Sequence, residues 1–307
     1  MTFSEEQEEG SRQRLVNIPH SSNGDIDLTN LSELKRLLKR HHLWAQKSLG
    51  QNFLINRESL EKIIKTAELS SKDFILEVGP GPGVLTCELL SRAKKVLAVE
   101  LDRSIIPVLK EATSSFSNLE IKHEDILKFE TENKSYKVVA NIPYYLTSKL
   151  LRHFLEEIEY KPSMMVLLTQ KEVAEKIISK KSSLLSLAVK VYAKAEIVDL
   201  IPAKHFYPVP KVDSAILRLN IYKKPKLKSD PEIFFKIARA AFLGKRKQLK
   251  NTVSNLGIPN EKIKKALPEL GYSEQARPEE LSLSDWDELV LSLEKYLQKS
   301  PSHSRRS

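Results

Sequence analysis

The sequence predicts an α/β protein in which a mostly parallel sheet is covered on both faces by helices and followed by a smaller helical region. Three observations predict it. Between residues 57 and 220, short β-rich apolar runs alternate with segments of helical period, the pattern of parallel strands joined by helical crossovers. A Gly-rich turn, Gly79-Pro80-Gly81-Pro82-Gly83, joins one of these runs to the next helix. From Lys223 the alternation stops, and charged helical segments punctuated by Pro225, Pro231, Pro259 and Pro278 take over.

Taken in order, residues 1–28 are polar and aperiodic, which predicts a disordered arm. Residues 29–222 form the α/β domain. It opens with a basic amphipathic helix from Leu31 to about Leu43, carrying Lys35, Arg36, Lys39 and Arg40. Helices are then expected at 57–67, 84–92, 103–113, 147–158, 170–178 and 183–194. Strands are expected at 73–78, 95–100, 119–122, 136–140, 163–169, 195–200 and 213–220. Residues 223–307 read as a helical domain with a disordered tail.

Composition narrows the function. The chain has 307 residues, 41% apolar, with a formal net charge of +10, long enough for a large core and basic enough to suggest a polyanionic partner. One cysteine excludes an intrachain disulfide and suits a reducing compartment. No apolar run approaches the ~20 residues of a membrane span, and the acidic start (Glu5, Glu6, Glu8, Glu9) argues against a targeting peptide. A cytoplasmic protein without a membrane partner is expected. The seven histidines show no ligand spacing, so no metal is expected.

Three strand ends suggest a nucleoside pocket. In Glu77-Val78-Gly79-Pro80-Gly81-Pro82-Gly83, glycines let the backbone approach a ligand. Glu100 closes the next strand, about 20 residues on, where a carboxylate accepts hydrogen bonds from ribose hydroxyls. Asp125 follows the third strand and can receive an adenine amine or cap a helix. The G-x-G-x-G spacing differs from the dinucleotide fingerprint and lacks the Lys-Ser/Thr of a P-loop.

The sharpest local signal is Asn141-Ile142-Pro143-Tyr144, after the fourth strand. An exocyclic adenine amine is a poor nucleophile because its lone pair is delocalised into the ring. An asparagine oxygen and a backbone carbonyl can accept its two hydrogens and aim the lone pair at a methyl sulfonium, so positioning carries the reaction. Pro143 stiffens the turn. Tyr144 can stack on the base, worth roughly 1–3 kcal/mol, as an unstacked target requires. Phe206 could close the base's other face or plug the core.

These residues, with Lys47-Ser48-Leu49-Gly50-Gln51-Asn52-Phe53-Leu54, Val99-Glu100-Leu101-Asp102, Gln170-Lys171-Glu172-Val173, Phe206-Tyr207-Pro208-Val209-Pro210-Lys211-Val212-Asp213-Ser214-Ala215 and Arg246-Lys247-Gln248-Leu249-Lys250-Asn251, make the chain resemble the ribosomal RNA small-subunit adenine dimethyltransferases. The likeness runs from about Gln46 to Leu289. It implies a Rossmann-like methyltransferase sheet with one antiparallel strand and a small all-helical C-terminal domain. S-adenosylmethionine is the implied cofactor, held by Asn52, Leu54, Gly79, Glu100, Asp125 and Asn141, and Tyr144 and Phe206 stack the target base. The implied substrate is two adjacent adenosines in the 3′-terminal hairpin loop of small-subunit (16S) ribosomal RNA, each receiving two methyls within an assembling small subunit. A monomer is expected. His123-Glu124-Asp125 stands where the family usually has Gly-Asp.

Ten Lys and Arg residues lie between Lys223 and Lys250 against Asp230 and Glu232. Lys245, Arg246, Lys247 and Lys250 are the candidate RNA contacts, through phosphates. A large-subunit adenine methyltransferase, a non-catalytic RNA-binding assembly factor and a nicotinamide dehydrogenase are the competing readings. The last fails on its glycine spacing.

Overall fold

The computed structural model describes residues 26–45, 50–244 and 247–297. The arm before Ile26 and the tail after Leu297 lie outside these residues.

Chain order runs α1 (Leu31–Arg40), β1 (Phe53–Leu54), α2 (Arg57–Thr66), β2 (Phe74–Val78), α3 (Val84–Leu90), β3 (Lys95–Glu100), α4 (Ile106–Ala112), β4 (Leu119–His123) and β5 (Lys137–Asn141). Then come α5 (Thr147–Arg152), β6 (Met164–Gln170), α6 (Lys171–Ile178), α7 (Leu184–Tyr192), β7 (Ala193–Ile201), β8 (Phe206–Tyr207) and β9 (Ser214–Ile221). Four α-helices follow: α8 (Pro231–Phe242), α9 (Leu249–Val253), α10 (Asn260–Glu269) and α11 (Leu283–Leu293).

The main sheet has the order β4-β3-β2-β5-β6-β9-β7. Strands β4 to β6 are mutually parallel, and β9 runs antiparallel to both its neighbours. Among the described residues it is the one reversed strand of this Rossmann-like sheet. The strand path leaves β2 toward β3 and β4, then returns to β5 on β2's other side. That reversal opens a crevice beyond the carboxyl ends of β2 and β5.

Side chains alternate across the pleat, and the core divides accordingly. Leu76, Val78, Val138, Ala140, Met165 and Leu167 face one layer, which continues without a break into Phe234, Trp286 and Leu289 of the C-terminal helices. Ile75, Val139, Val166 and Leu168 face the other layer, with Leu34 and Leu37 of α1, Ile63 of α2 and Leu89 of α3. Asn30 caps α1, its side-chain oxygen accepting from Ser32 and Glu33 N–H. Asp230 caps α8 in the same way, with Pro231 in the first turn. The junction between the sheet and these helices is pinned by buried Asp287, which accepts from the backbone N–H of Lys228 and Ser229 and from the Ser229 hydroxyl at 2.6 Å.

Two local departures from the expected elements have physical causes. The helix expected over 147–158 is α-helical only to Arg152 and finishes as a π-turn over His153–Glu157. Buried His153 anchors that turn through Nε2, 3.0 Å from the Phe129 carbonyl. The two-residue ladder of β1 with β8, antiparallel with Phe53 opposite Tyr207 and Leu54 opposite Phe206, was not expected. Two residues show no period.

Candidate active site

A cavity of about 530 Å³ occupies the crevice at the strand ends. Asn52, Leu54, Gly79, Glu100, Asp125, Asn141 and Tyr144 all lie on its wall, although they span 93 positions of the chain from first to last.

The Gly-rich turn exposes bare backbone to this space. Gly79 has φ +64° with no heavy atom within 4 Å of where a Cβ would sit, and its N–H donates to the Val99 carbonyl at 2.9 Å. Gly81, at φ +56°, lies so close to the Phe53 ring that a Cβ would stand 3.3 Å from it. Only glycine takes these left-handed backbones without strain.

Glu100 ties the turn to β3. One carboxylate oxygen accepts from Gly81 N–H at 3.1 Å, the other from Asp102 N–H at 2.8 Å. Burial pushes its pKa above the usual carboxylate value against the pull of those donors. Each oxygen keeps a lone pair for a further donor. Glu77, on the neighbouring strand β2, is 1% exposed. Its Oε2 has no hydrogen-bond partner among the described residues, and neither has the Thr86 hydroxyl. Burial, reinforced by the nearby charge of Glu100, pushes the Glu77 carboxyl up to about 8. Thr86 lies close enough to ease that charge but makes no hydrogen bond of good geometry with it.

Asp125 stands two residues beyond the end of β4, and its Oδ1 accepts from Leu127 N–H at 3.0 Å. It caps the following turn and lines the cavity at once. On the opposite side, the Asn52 amide donates to the Gly50 carbonyl at 3.1 Å, and Gln51 Nε2 donates to Asp102 at 3.1 Å. These bonds hold the 50–54 segment over the strand ends.

Asn141 is the last residue of β5. Its Nδ2 donates to the Asn52 carbonyl at 3.0 Å. That bond fixes which end of the amide points where, and no described residue donates to its oxygen. The turn that follows, Tyr144–Leu146, is a single 3₁₀ turn closed by Leu146 N–H on the Pro143 carbonyl at 2.9 Å. Tyr144 shares a hydrogen bond of 2.8 Å with Ser214. Burial raises its pKa, so the ring stays neutral.

Phe206 is a correction. It is 1% exposed, packs in the core layer of α1 and α2 and is absent from the cavity wall. Its pairing with Leu54 on β1 turns the ring inward, so here it plugs the core beneath the pocket and offers no face to a base. Lys245 and Arg246 lie outside the described residues. Lys247 is exposed and Lys250 half-buried, beside Leu249 at 0% exposure. They stand on the helical region, away from the cavity lining.

Among the lining residues given no role in the sequence reading are Glu77, Tyr145 and Lys149. Glu77 opens the Gly-rich motif, yet only burial gives it significance. Tyr145 is 65% exposed at the cavity mouth.

The donor set suits a nucleoside bearing a cationic group. Bare glycine backbone and the carboxylate residues Glu77, Glu100 and Asp125 line the cavity. Among the described residues no group of three His, Cys, Asp or Glu could hold a metal, and no helix is long and apolar enough to cross a membrane.

The sequence model of the family described as ribosomal RNA adenine dimethylase matches residues 43–295. The ribosomal RNA small subunit methyltransferase A of Dehalococcoides mccartyi strain BAV1 is 42% identical over 270 residues, covering 85% of this chain and 92% of the relative. That of Clostridium acetobutylicum is 36% identical over 265 residues, covering 83% and 96%. Among solved structures, a dimethyladenosine transferase from Plasmodium falciparum aligns with a TM-score of 0.68 at 28% identity, covering 80% of this chain and 98% of its own. The 23S rRNA methyltransferase ErmE aligns at 0.65 and 30% identity, covering 79% and 100%.

Proposed function

The chain belongs to the ribosomal RNA adenine dimethylase family, and on that footing we propose that it dimethylates the exocyclic amines of two adjacent adenosines in the 3′-terminal hairpin loop of small-subunit ribosomal RNA. The reaction is performed in the cytoplasm by a monomer acting on an assembling subunit. One observation carries the reading: the Asn141 amide is held by the Asn52 carbonyl, leaving its oxygen as an acceptor on the cavity wall.

When bound, S-adenosylmethionine supplies an electrophilic methyl on a sulfonium. The chain's own residues do the rest. Gly79 and Gly81 let the backbone lie against the nucleoside, Glu100 accepts from ribose hydroxyls, and Asp125 receives the cofactor's adenine amine. Asn52 and Leu54 close the near wall. Glu77, on the cavity wall at the start of the Gly-rich turn, would lie beside the bound cofactor. Asn141 Oδ1 and a carbonyl of the same turn accept the two hydrogens of the target amine and aim its lone pair. Positioning of this kind carries most of the acceleration. No strong base is needed, because the methylated ammonium is acidic and sheds its proton to water. Tyr144, braced by Ser214, stacks the unstacked base. With Phe206 buried, stacking of the target base falls to Tyr144 alone. The helical region after Ile221, with Lys245, Arg246, Lys247 and Lys250, grips phosphates.

The alignment with the 23S enzyme favours a second reading, a large-subunit target. One experiment separates them. Undermethylated small subunits and large-subunit RNA are each reacted with the protein and S-adenosylmethionine, digested, and analysed by mass for N6,N6-dimethyladenosine. Dimethyladenosine confined to the small-subunit 3′-terminal fragment is expected. Product only in the large-subunit RNA, or RNA bound without any methyl transfer, overturns the proposal.

A further inference from the structure

Beyond the cavity, the surface that leaves the catalytic turn has a composition of its own. Counting from Tyr145 along the turn and into α5, the exposed positions are Tyr145, Ser148, Lys149 and Arg152. The spacing i, i+3, i+4, i+7 places them on one helical face. The face begins on the cavity wall, which Tyr145 and Lys149 both line, and extends roughly 10 Å at the helical rise.

Its charge is uncompensated. Some cations around the sheet are engaged, Arg57 with Glu61 and Glu88, Arg92 with Glu88, and Lys137 with Asp73. Among the described residues neither Lys149 nor Arg152 forms an ion pair within 4 Å. Glu156, one turn beyond Arg152 and within reach of its field, is taken up by Arg239 of α8. The aromatic at the head of the face is held in place. A Cβ on Gly50 would lie 3.3 Å from the Tyr145 ring, so the ring edge rests against glycine backbone while the rest stays exposed.

We propose that this face is a track for the single-stranded RNA flanking the target adenosine: Tyr145 stacks the neighbouring base, and Lys149 and Arg152 hold the phosphates that follow. An aromatic platform followed by cations at helical spacing is how proteins bind unpaired strands. The track's continuity with the cavity identifies the strand as the one whose base enters it. It leads toward α8, so the turn and the helical region grip one continuous RNA. The inference rests on the proposed RNA substrate.

The test uses the full chain, a fluorescein-labelled hairpin RNA with two adjacent unpaired adenosines in its loop, and S-adenosylhomocysteine. Lys149→Gln with Arg152→Gln should raise the RNA Kd about tenfold at physiological salt. It should also flatten the log–log salt slope by about 1.4, given ~0.7 per phosphate on a single strand. Tyr145→Ala should lose roughly five- to hundredfold in RNA affinity, and Tyr145→Phe should rescue it. Affinity for S-adenosylhomocysteine, measured by calorimetry, should stay at the wild-type value in all three. Wild-type RNA affinity and slope in the double variant overturn the track, as does a parallel loss of S-adenosylhomocysteine binding, which would place these residues in the pocket's own scaffold. A wild-type protein that methylates neither ribosomal RNA defeats the parent reading instead, so the two failures are distinguishable.

Discussion

On the proposed function, the cavity and the basic helical region meet the same substrate in opposite ways. Around the cavity, the groups given roles are held by others: Glu100 by two backbone N–H groups, Asn141 by the Asn52 carbonyl, Gln51 by Asp102, Tyr144 by Ser214. In the helical region the described lysines Lys223, Lys224, Lys226, Lys236 and Lys247 are exposed. On the proposed function they act by number and not by orientation. Positioned groups contribute to the reaction only when placed to a fraction of an ångström. Phosphate-gripping charges tolerate movement but are screened by salt. A substitution should therefore cause a steep, salt-independent loss in the first region and a shallow, salt-dependent one in the second.

The largest test of that contrast is Asn141→Ala. Removing the acceptor that aims the amine should lower kcat at least a hundredfold, by analogy with the loss of one preorganised polar group at a reacting centre. RNA affinity and its salt slope should hold. A drop in RNA affinity that matched the drop in turnover would erase the distinction between the regions. Next in size is Glu100→Gln, which keeps the shape and removes the charge. Hydrogen bonds to a charged acceptor contribute about 1.5–3 kcal/mol, so the Kd for S-adenosylmethionine should rise at least tenfold by calorimetry. An unchanged Kd would leave Glu100 as a brace for Gly81 and Asp102 only.

The alternation of strands and helices was legible because each core strand and helix repeats its apolar positions several times. Ile75 and Leu76 already point to different layers, and the sequence shows that pattern. Glu100, Asp125 and Asn141 were legible because a strand end fixes where its last side chains go. Contacts that need a third dimension escaped. The β1–β8 ladder is two residues long, and it decides that Phe206 is buried. The orphaned oxygen of Glu77 depends on α3 covering β2. The spacing of Tyr145, Lys149 and Arg152 is present in the sequence. Its meaning appears only once the cavity is seen to open beside the first of them.

Glu77 sharpens the contrast from the side of stability, because an unmet buried oxygen is a cost that a charge on the open surface does not carry. With its carboxyl pushed up to about 8 by burial, the folded chain holds a proton that the unfolded chain has already released. Folded protein therefore binds more protons between the ordinary carboxylate range and pH 8. Stability should fall as pH rises through that window, by at most about 1.4 kcal/mol per unit, and level off above it. Glu77→Gln, neutral at every pH, should lose this part of the slope. Melting temperatures from pH 5 to 9 check it: parallel profiles for the two proteins would show that Glu77 does not titrate in this range.

The smallest expected effect lies in the helical region. Lys247→Ala and Lys250→Ala each remove one charge from a stretch where ten cations face two acids. If they act through phosphates on a duplex, each should reduce the magnitude of the log–log salt slope of RNA binding by about 0.9, with a few-fold loss of affinity near physiological salt and no change in kcat at saturating RNA. Lys250 is the sharper probe, because it is half-buried and sits beside the fully buried Leu249. Its substitution can reveal orientation where Lys247 cannot. A Lys250→Ala loss that persisted undiminished at high salt would mean that this lysine makes an oriented contact like those around the cavity. The boundary between positioned and screened groups would then pass through α9 and not between the two regions.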